Sequence, residues 1–117
     1  MTVDQYFSLN QVGKAMVIQP ICRGGAFAEE ASRAVWPEVL KQAVGSGNGV
    51  VVDLGALKFF GSTMLDLIAT LNRQLDDGKL AVANVSPTGL EVMQIARFDK
   101  LLKICDSVDD AVAAVSS

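Results

Sequence analysis

Two adjacent hydroxyl side chains, Ser62 and Thr63, are the residues of this chain best suited to carry chemistry. They lie in the segment FFGSTM (residues 59–64), where two aromatics and a glycine lead into an apolar pattern with helical spacing. A hydroxyl at the start of a helix can cap an unpaired backbone amide. It can also accept a phosphate, which the helix dipole and the free amides would stabilise. The two interpretations are compatible, because a phosphoacceptor can also be a cap.

The residues before the two hydroxyls suggest a contact surface. Phe59 and Phe60 are adjacent, so in an extended segment their rings point to opposite faces. One ring is expected in the core, and the other is a candidate anchor for a partner protein. Gly61 permits an unusual backbone conformation at the turn.

Conventional catalysis has few candidate groups in this chain. Histidine is absent, which excludes Ser–His and Cys–His catalysis and argues against a zinc site. The adjacent acids at 76–77 and 109–110 diverge on a helix and cannot act as a catalytic couple. The glycine-rich segment 45–49 lacks the lysine of a phosphate-binding loop. We therefore expect no enzymatic activity, no cofactor and no metal site.

Charge and hydropathy argue against nucleic acids and membranes as partners. The net charge is −3 and the pI is near 4.7, and the only loosely basic stretch, 97–103, resembles a solvated edge. No apolar run approaches the ~20 residues that span a bilayer, and the N-terminus has no signal-peptide pattern. The two cysteines form no C-x-x-C motif and are expected to be buried thiols. These features predict a cytoplasmic protein.

The order of elements predicts one α/β domain over residues 1–117. Strands are predicted at 6–9, 14–21, 50–54, 79–84 and 101–105, with a hairpin turn at 10–13. Helices are predicted at 27–44, from Ser62 to a stop at Gly78, from Pro87 and from residue 108. Pro37 should kink the first helix or begin a second segment. Alternating strands and helices indicate a mixed, mostly parallel sheet with an antiparallel edge hairpin, covered by about four helices.

Several side chains at element ends are predicted to be caps. Ser86 should cap the helix that begins at Pro87, and Ser107 should cap the last helix. Asp53, at the end of a buried strand, should cap the turn that follows it, and the alternative is a ligand site formed by the loops at that edge of the parallel sheet.

The segments 50–54, 59–65 and 78–87, with the tail segments 98–102 and 106–111, resemble a STAS domain. That domain occurs in bacterial anti-sigma factor antagonists and in the cytoplasmic tails of sulphate transporters. In the antagonists, an Asp-Ser-Ser/Thr-Gly motif opens the second helix, and an anti-sigma factor that is also a kinase phosphorylates its serine. The unphosphorylated form binds that factor, and phosphorylation ends the binding. By position, the resemblance makes Ser62 the phosphoacceptor, with Thr63 beside it.

Three positions near this motif depart from the family pattern. Gly61 stands where the motif has aspartate, and Met64 stands where it has glycine. Phe27 occupies a further acidic position of the family, at the start of the first helix. The alternative hypothesis follows from these departures: a STAS scaffold subunit, without phosphorylation, of a signalling or lipid-transport complex.

The resemblance implies a protein partner, namely an anti-sigma factor with a serine-kinase fold that contacts residues 58–68. An exposed sheet edge would also permit a weak dimer. The predicted partner-binding residues are Phe59, Phe60, Gly61, Ser62, Thr63, Met64 and Asp66.

Overall fold

The computed structural model describes residues 6–21, 29–57, 62–76 and 78–116. A short 3₁₀ turn, Phe98–Lys100, precedes the last strand. The elements, in chain order, are β1 (Phe7–Val12), β2 (Ala15–Pro20), α1 (Glu29–Gly45), β3 (Gly49–Asp53), α2 (Ser62–Gln74), β4 (Leu80–Ala83), α3 (Pro87–Ile95), β5 (Lys103–Cys105) and α4 (Val108–Val115).

The five strands form one sheet in sequence order, β1-β2-β3-β4-β5. The β1–β2 pair is antiparallel, and every later pair is parallel. This confirms the predicted mixed α/β sheet with an antiparallel edge hairpin. Since α1, α2 and α3 each join two parallel strands, each helix begins near the carboxyl edge of the sheet and returns toward the amino edge.

The sheet has two different faces because neighbouring side chains of a strand point in opposite directions. One face carries the large core residues and is covered by α1, α2 and α3. There Phe7 of β1 contacts the ring of Trp36 of α1, with centroids 5.3 Å apart. The opposite face is lined mainly by small residues and covered by α4.

The small residues let α4 lie close to the sheet. Ala81 and Ala83 of β4 are fully buried beneath Ala111 and Val115 of α4. A Cβ added to Gly49 would lie 2.7 Å from the Cβ of Val115 and closer still to the Val115 carbonyl oxygen. Glycine at position 49 is therefore a packing requirement of the α4 face.

The two predicted serine caps are confirmed. The Ser86 hydroxyl accepts a hydrogen bond from the Gly89 amide at 3.0 Å, with Pro87 at the start of the helix. The Ser107 hydroxyl accepts one from the Asp110 amide at 3.1 Å. Each bond satisfies one amide that a helix start leaves unpaired.

One local prediction is wrong, and one of the two alternatives for Pro37 is excluded. The hairpin turn is shorter than residues 10–13, because β1 continues to Val12, which pairs with Ala15. The left-handed Gly13, with φ of 59°, and Lys14 make the turn between them. Pro37 does not begin a new segment: α1 is one helix through it.

Two predicted boundaries also differ from the structure. The helix expected to stop at Gly78 ends at Gln74, and Gly78, with φ of 76°, belongs to the turn before β4. The last strand begins at Lys103 and not at residue 101, because Leu101 and Leu102 lie in the bend between the 3₁₀ turn and the strand.

Candidate partner-binding site

The start of α2 presents the two hydroxyls identified from the sequence. The helix forms because apolar residues recur at three- and four-residue spacing, and Leu67, Ile68 and Leu71 are buried in the core. This stripe fixes the rotation of the helix about its axis. As a result Ser62 is exposed and Thr63 is half-buried.

The described part of α2 begins at Ser62, and the residue before it lies outside the described residues. The prediction that Ser62 caps this helix therefore stays a prediction. The exposed hydroxyl of Ser62 is in the first turn, where backbone amides and the positive end of the helix dipole lie.

A cation from α1 lies beside this helix start. Arg33 Nη2 donates a hydrogen bond to Thr63 Oγ1 at 3.4 Å and lies 3.6 Å from Asp66 Oδ2. The side chains of Arg33 and Asp66 are 56% and 66% exposed, so solvent screens the pair and its contribution to stability is small. The pair nevertheless fixes two opposite charges one turn from Ser62.

Two hydrogen bonds to Asp53 connect polar groups at the carboxyl edge of the sheet. Asp53 Oδ1, at the end of β3, accepts hydrogen bonds from the Gly55 amide at 2.9 Å and from Asn84 Nδ2 at 3.0 Å. Asn84 follows β4 in a left-handed conformation, with φ of 58°. Asp53 thus caps the turn after β3, as predicted, and also joins that turn to the neighbouring strand.

The predicted contact residues differ in their exposure to solvent. Ser62, Thr63 and Asp66 lie together at the start of α2, with Ser62 and Asp66 exposed. Met64 is only 1% exposed and packs in the core, so its side chain is not available to a partner. Residues 58–61, including the two phenylalanines, lie outside the described residues.

Sequence reasoning missed Arg33 and Asn84. Arg33 lies 30 residues before Thr63, and only the packing of α1 against α2 brings them together. Asn84 had a weak signal, since asparagine after a strand often adopts the left-handed conformation. Its bond to Asp53 depends on the parallel register of β3 and β4, which the sequence does not show.

Two buried thiols were predicted, Cys22 and Cys105. Cys22 lies outside the described residues, and Cys105, at the other end of this edge, is free and half-buried rather than buried. Burial raises the pKa of the Cys105 thiol, and the nearby carboxylate of Asp110 raises it further. Lys103 lowers the pKa, and Asp106 raises it slightly. The thiol form is thus favoured at neutral pH, which makes Cys105 a weak nucleophile.

Two negative findings apply to the described part of the chain. Within it, no three His, Cys, Asp or Glu side chains come together in a way that could hold a metal ion. None of the described helices is long and apolar enough to cross a membrane.

Comparisons with known proteins identify the family. A model of the STAS domain family matches residues 25–111. No curated protein matches the sequence at a significant level.

Two solved structures are similar to the whole fold. An anti-sigma-factor antagonist (STAS) domain protein from Planctomyces limnophilus is 21% identical, with a TM-score of 0.81 over 95% of this chain and 98% of that chain. An anti-sigma factor antagonist from Mycobacterium paratuberculosis is also 21% identical, with a TM-score of 0.77 over 93% of this chain and 92% of that chain. The five-stranded sheet and its helices match this fold, and the family model covers well over half of the sequence. The chain therefore belongs to the STAS domain family.

Proposed function

We propose that this STAS domain acts as an anti-sigma factor antagonist: a non-enzymatic protein that binds an anti-sigma factor with a serine-kinase fold. The contact surface is the start of α2, and phosphorylation of Ser62 ends the binding. The observation that carries the proposal is the exposed Ser62 hydroxyl in the first turn of α2, next to the charged pair Arg33–Asp66. The similar structures from two bacteria, both described as antagonists, support the same function.

The exposed residues of this surface suit a docking partner. Ser62 and Asp66 lie one turn apart on α2 and are both open to solvent, and Arg33 extends the surface onto α1. Beneath them, Met64 and Leu67 hold the helix against the core. A partner would therefore meet a helix start that is already packed on the core, and such preorganisation limits the entropy lost on binding.

A phosphate on Ser62 would change the charge of this surface more than its shape. The charges of Arg33 and Asp66 cancel, so the exposed surface of this pair is locally neutral. A phosphoserine adds roughly −1.5 to −2 charges at neutral pH. The amides of the first turn stabilise such a group within the free protein. A partner that docks here would have to desolvate it, and this cost opposes binding.

The scaffold hypothesis makes the opposite prediction about Ser62. Gly61 and Met64 replace the aspartate and glycine of the family motif, and a kinase that requires those residues would not modify this chain. In that case the same surface binds its partner constitutively.

The test compares four purified proteins against each kinase-fold anti-sigma factor encoded in the source genome: wild type, Ser62→Ala, Ser62→Asp and Thr88→Asp. Thr88 is the matched control, because it is an exposed hydroxyl in the first turn of α3. Calorimetry measures each affinity, and mass spectrometry after incubation with ATP locates phosphate.

For one such factor we expect equal affinity for wild type, Ser62→Ala and Thr88→Asp, and a loss of about tenfold or more, about 1.4 kcal/mol, for Ser62→Asp. We also expect phosphate on Ser62. Equal binding by all four proteins without phosphate on Ser62 or Thr63 would refute the switch and support the scaffold. Absence of binding to every such factor would refute the antagonist function.

A further inference from the structure

A second surface lies at the amino edge of the sheet, opposite the start of α2. It contains a groove of about 290 Å³ between the end of α2, the start of β4 and the connection from α3 to β5. This volume is at the lower limit of pockets for whole small molecules, ~300–1,000 Å³, and the groove can receive one or two side chains of a larger partner. The lining residues are Asn72, Gly78, Leu80, Lys100, Leu101, Leu102 and Lys103.

Two large apolar side chains are exposed in the connection that borders the groove. Ile95, at the end of α3, is 82% exposed, and Leu101 is 60% exposed. They are the two most exposed large apolar residues in the described part of the chain. Their neighbours Phe98 and Leu102 are buried and hold this connection to the core. Ile95 and Leu101 are therefore exposed on a segment, 95–102, whose other large apolar side chains are packed in the core.

Basic side chains lie in the same segment of the chain as these two residues. Arg97, Lys100 and Lys103 are all exposed, and Asp99 is the only acid between 95 and 103. Lys103 Nζ donates a hydrogen bond at 3.0 Å to the Ala114 carbonyl in the last turn of α4, and this acceptor carries no formal charge. The stretch thus has a net charge of +2 within a chain whose net charge is −3.

The fold separates this basic surface from carboxylates at the other edge. Asp53 ends β3, Asp66 lies near the start of α2, and Asp106, Asp109 and Asp110 follow the end of β5. In a parallel sheet these positions all lie near the carboxyl edge, whereas residues 95–103 precede β5 at the amino edge. Asp76, in the connection before β4, is also exposed at the amino edge. An anionic partner is therefore attracted to residues 95–103 themselves rather than to the whole edge.

We propose that the surface formed by Ile95, Arg97, Lys100, Leu101 and Lys103 binds an acidic protein segment that inserts an apolar side chain into the adjacent groove. The basic rim is complementary to acidic side chains, and the groove provides a concave site next to Leu101. A concave site favours a protein segment over the flat surface of a bilayer. This interaction is independent of the proposed switch, because it uses the opposite edge of the sheet.

The test uses a synthetic peptide of alternating Leu-Leu and Glu-Glu pairs as the probe, with a Lys-for-Glu peptide as its control. Titration into the isotope-labelled full chain is followed by amide chemical shifts. The variants are Lys100→Glu and the matched control Lys14→Glu, an exposed lysine of the β1–β2 turn. Lys14 lies three strand spacings from β5, about 14 Å or more. The amide spectrum of each variant also verifies that it is folded.

We expect the acidic peptide to change amide chemical shifts only in residues 95–103 and the groove, and the basic peptide to change none. The affinity for the acidic peptide should be at least about fivefold weaker in Lys100→Glu and unchanged in Lys14→Glu. Three results would overturn the proposal. The first is equal affinity of both variants for the acidic peptide, or no binding of that peptide. The second is binding only to vesicles of phosphatidylglycerol and phosphatidylcholine. The third is concentration-dependent self-association of the chain through 95–103, which would make a second copy the occupant.

Discussion

The bond between Asp53 and Asn84 should contribute measurably to stability, because it joins two turns at the edge that carries the proposed switch. Asp53→Ala removes two hydrogen bonds, one from the Gly55 amide and one from Asn84 Nδ2. A hydrogen bond contributes about 0.5–1.5 kcal/mol net, and both partners here are partly exposed. We therefore expect Asp53→Ala to lower the free energy of unfolding by about 2 kcal/mol, about 1 for each bond.

A double-mutant cycle isolates the bond between the two side chains. Asn84 has a φ of 58°, so alanine there would add backbone strain, whereas glycine accepts this conformation. Asn84→Gly should therefore cost about 1 kcal/mol, mainly the lost bond. The double variant should cost about 2 kcal/mol, because both single variants remove the same bond. The expected coupling energy is thus about 1 kcal/mol.

Urea unfolding followed by the fluorescence of Trp36 measures these values, since Trp36 is the only tryptophan and is buried in the core. Asp53→Asn is the informative control, because its amide oxygen can still accept both bonds without the charge. It should cost less than Asp53→Ala. Additive costs of the two single variants, with no coupling, would show that the bond contributes nothing and that the reasoning is wrong.

Two further predictions concern the face covered by α4. Gly49→Ala should destabilise the fold by about 1–3 kcal/mol in urea unfolding, because the new methyl group overlaps Val115. In a Cys22→Ser background, alkylation of Cys105 should have its pH midpoint above that of a free cysteine, because burial and then Asp110 raise its pKa. Asp110→Asn should lower that midpoint.

Each of these has a control. Gly45→Ala adds a methyl group where the structure shows no atom within 4 Å, and should leave stability unchanged or slightly raised. An equal loss of stability in Gly45→Ala and Gly49→Ala would argue against the close approach of α4.

The raised pKa of Cys105 also favours the folded state only while the thiol is protonated. This contribution is present below the ordinary cysteine pKa and is lost as pH rises through the raised value. A midpoint at or below that of free cysteine would contradict the environment described for the thiol.

Features that depend on neighbours in the sequence were predictable. Ser86 and Ser107 precede apolar helical patterns, and a cap bonds to an amide only three residues ahead. The stripe of α2 follows from the spacing of Leu67, Ile68 and Leu71, which are buried as expected. The order of strands and helices was predictable for the same reason, because the repeat of apolar residues that distinguishes a helix from a strand lies within a single element.

Features that depend on contacts between elements were not predictable. Met64 was predicted as a contact residue because it lies in the segment that the family resemblance implies, although its spacing also placed it in the apolar stripe of α2, and the structure shows it in the core. Arg33 gave no signal at all, since its role depends on how α1 and α2 pack. The hairpin turn was placed too early, because cross-strand pairing extends β1 through polar residues that favour turns on their own.

The sequence by itself therefore determined the type and order of the elements and the position of the two hydroxyls at a helix start, because these depend on local spacing and local hydrogen bonds. Tertiary structure alone decided which side chains surround those hydroxyls. Arg33 reaches Thr63 and Asp66 from another helix, and Asn84 reaches Asp53 from another strand. The physical reason is that packing and strand register bring together residues 30 or more positions apart, and no local pattern encodes those distances.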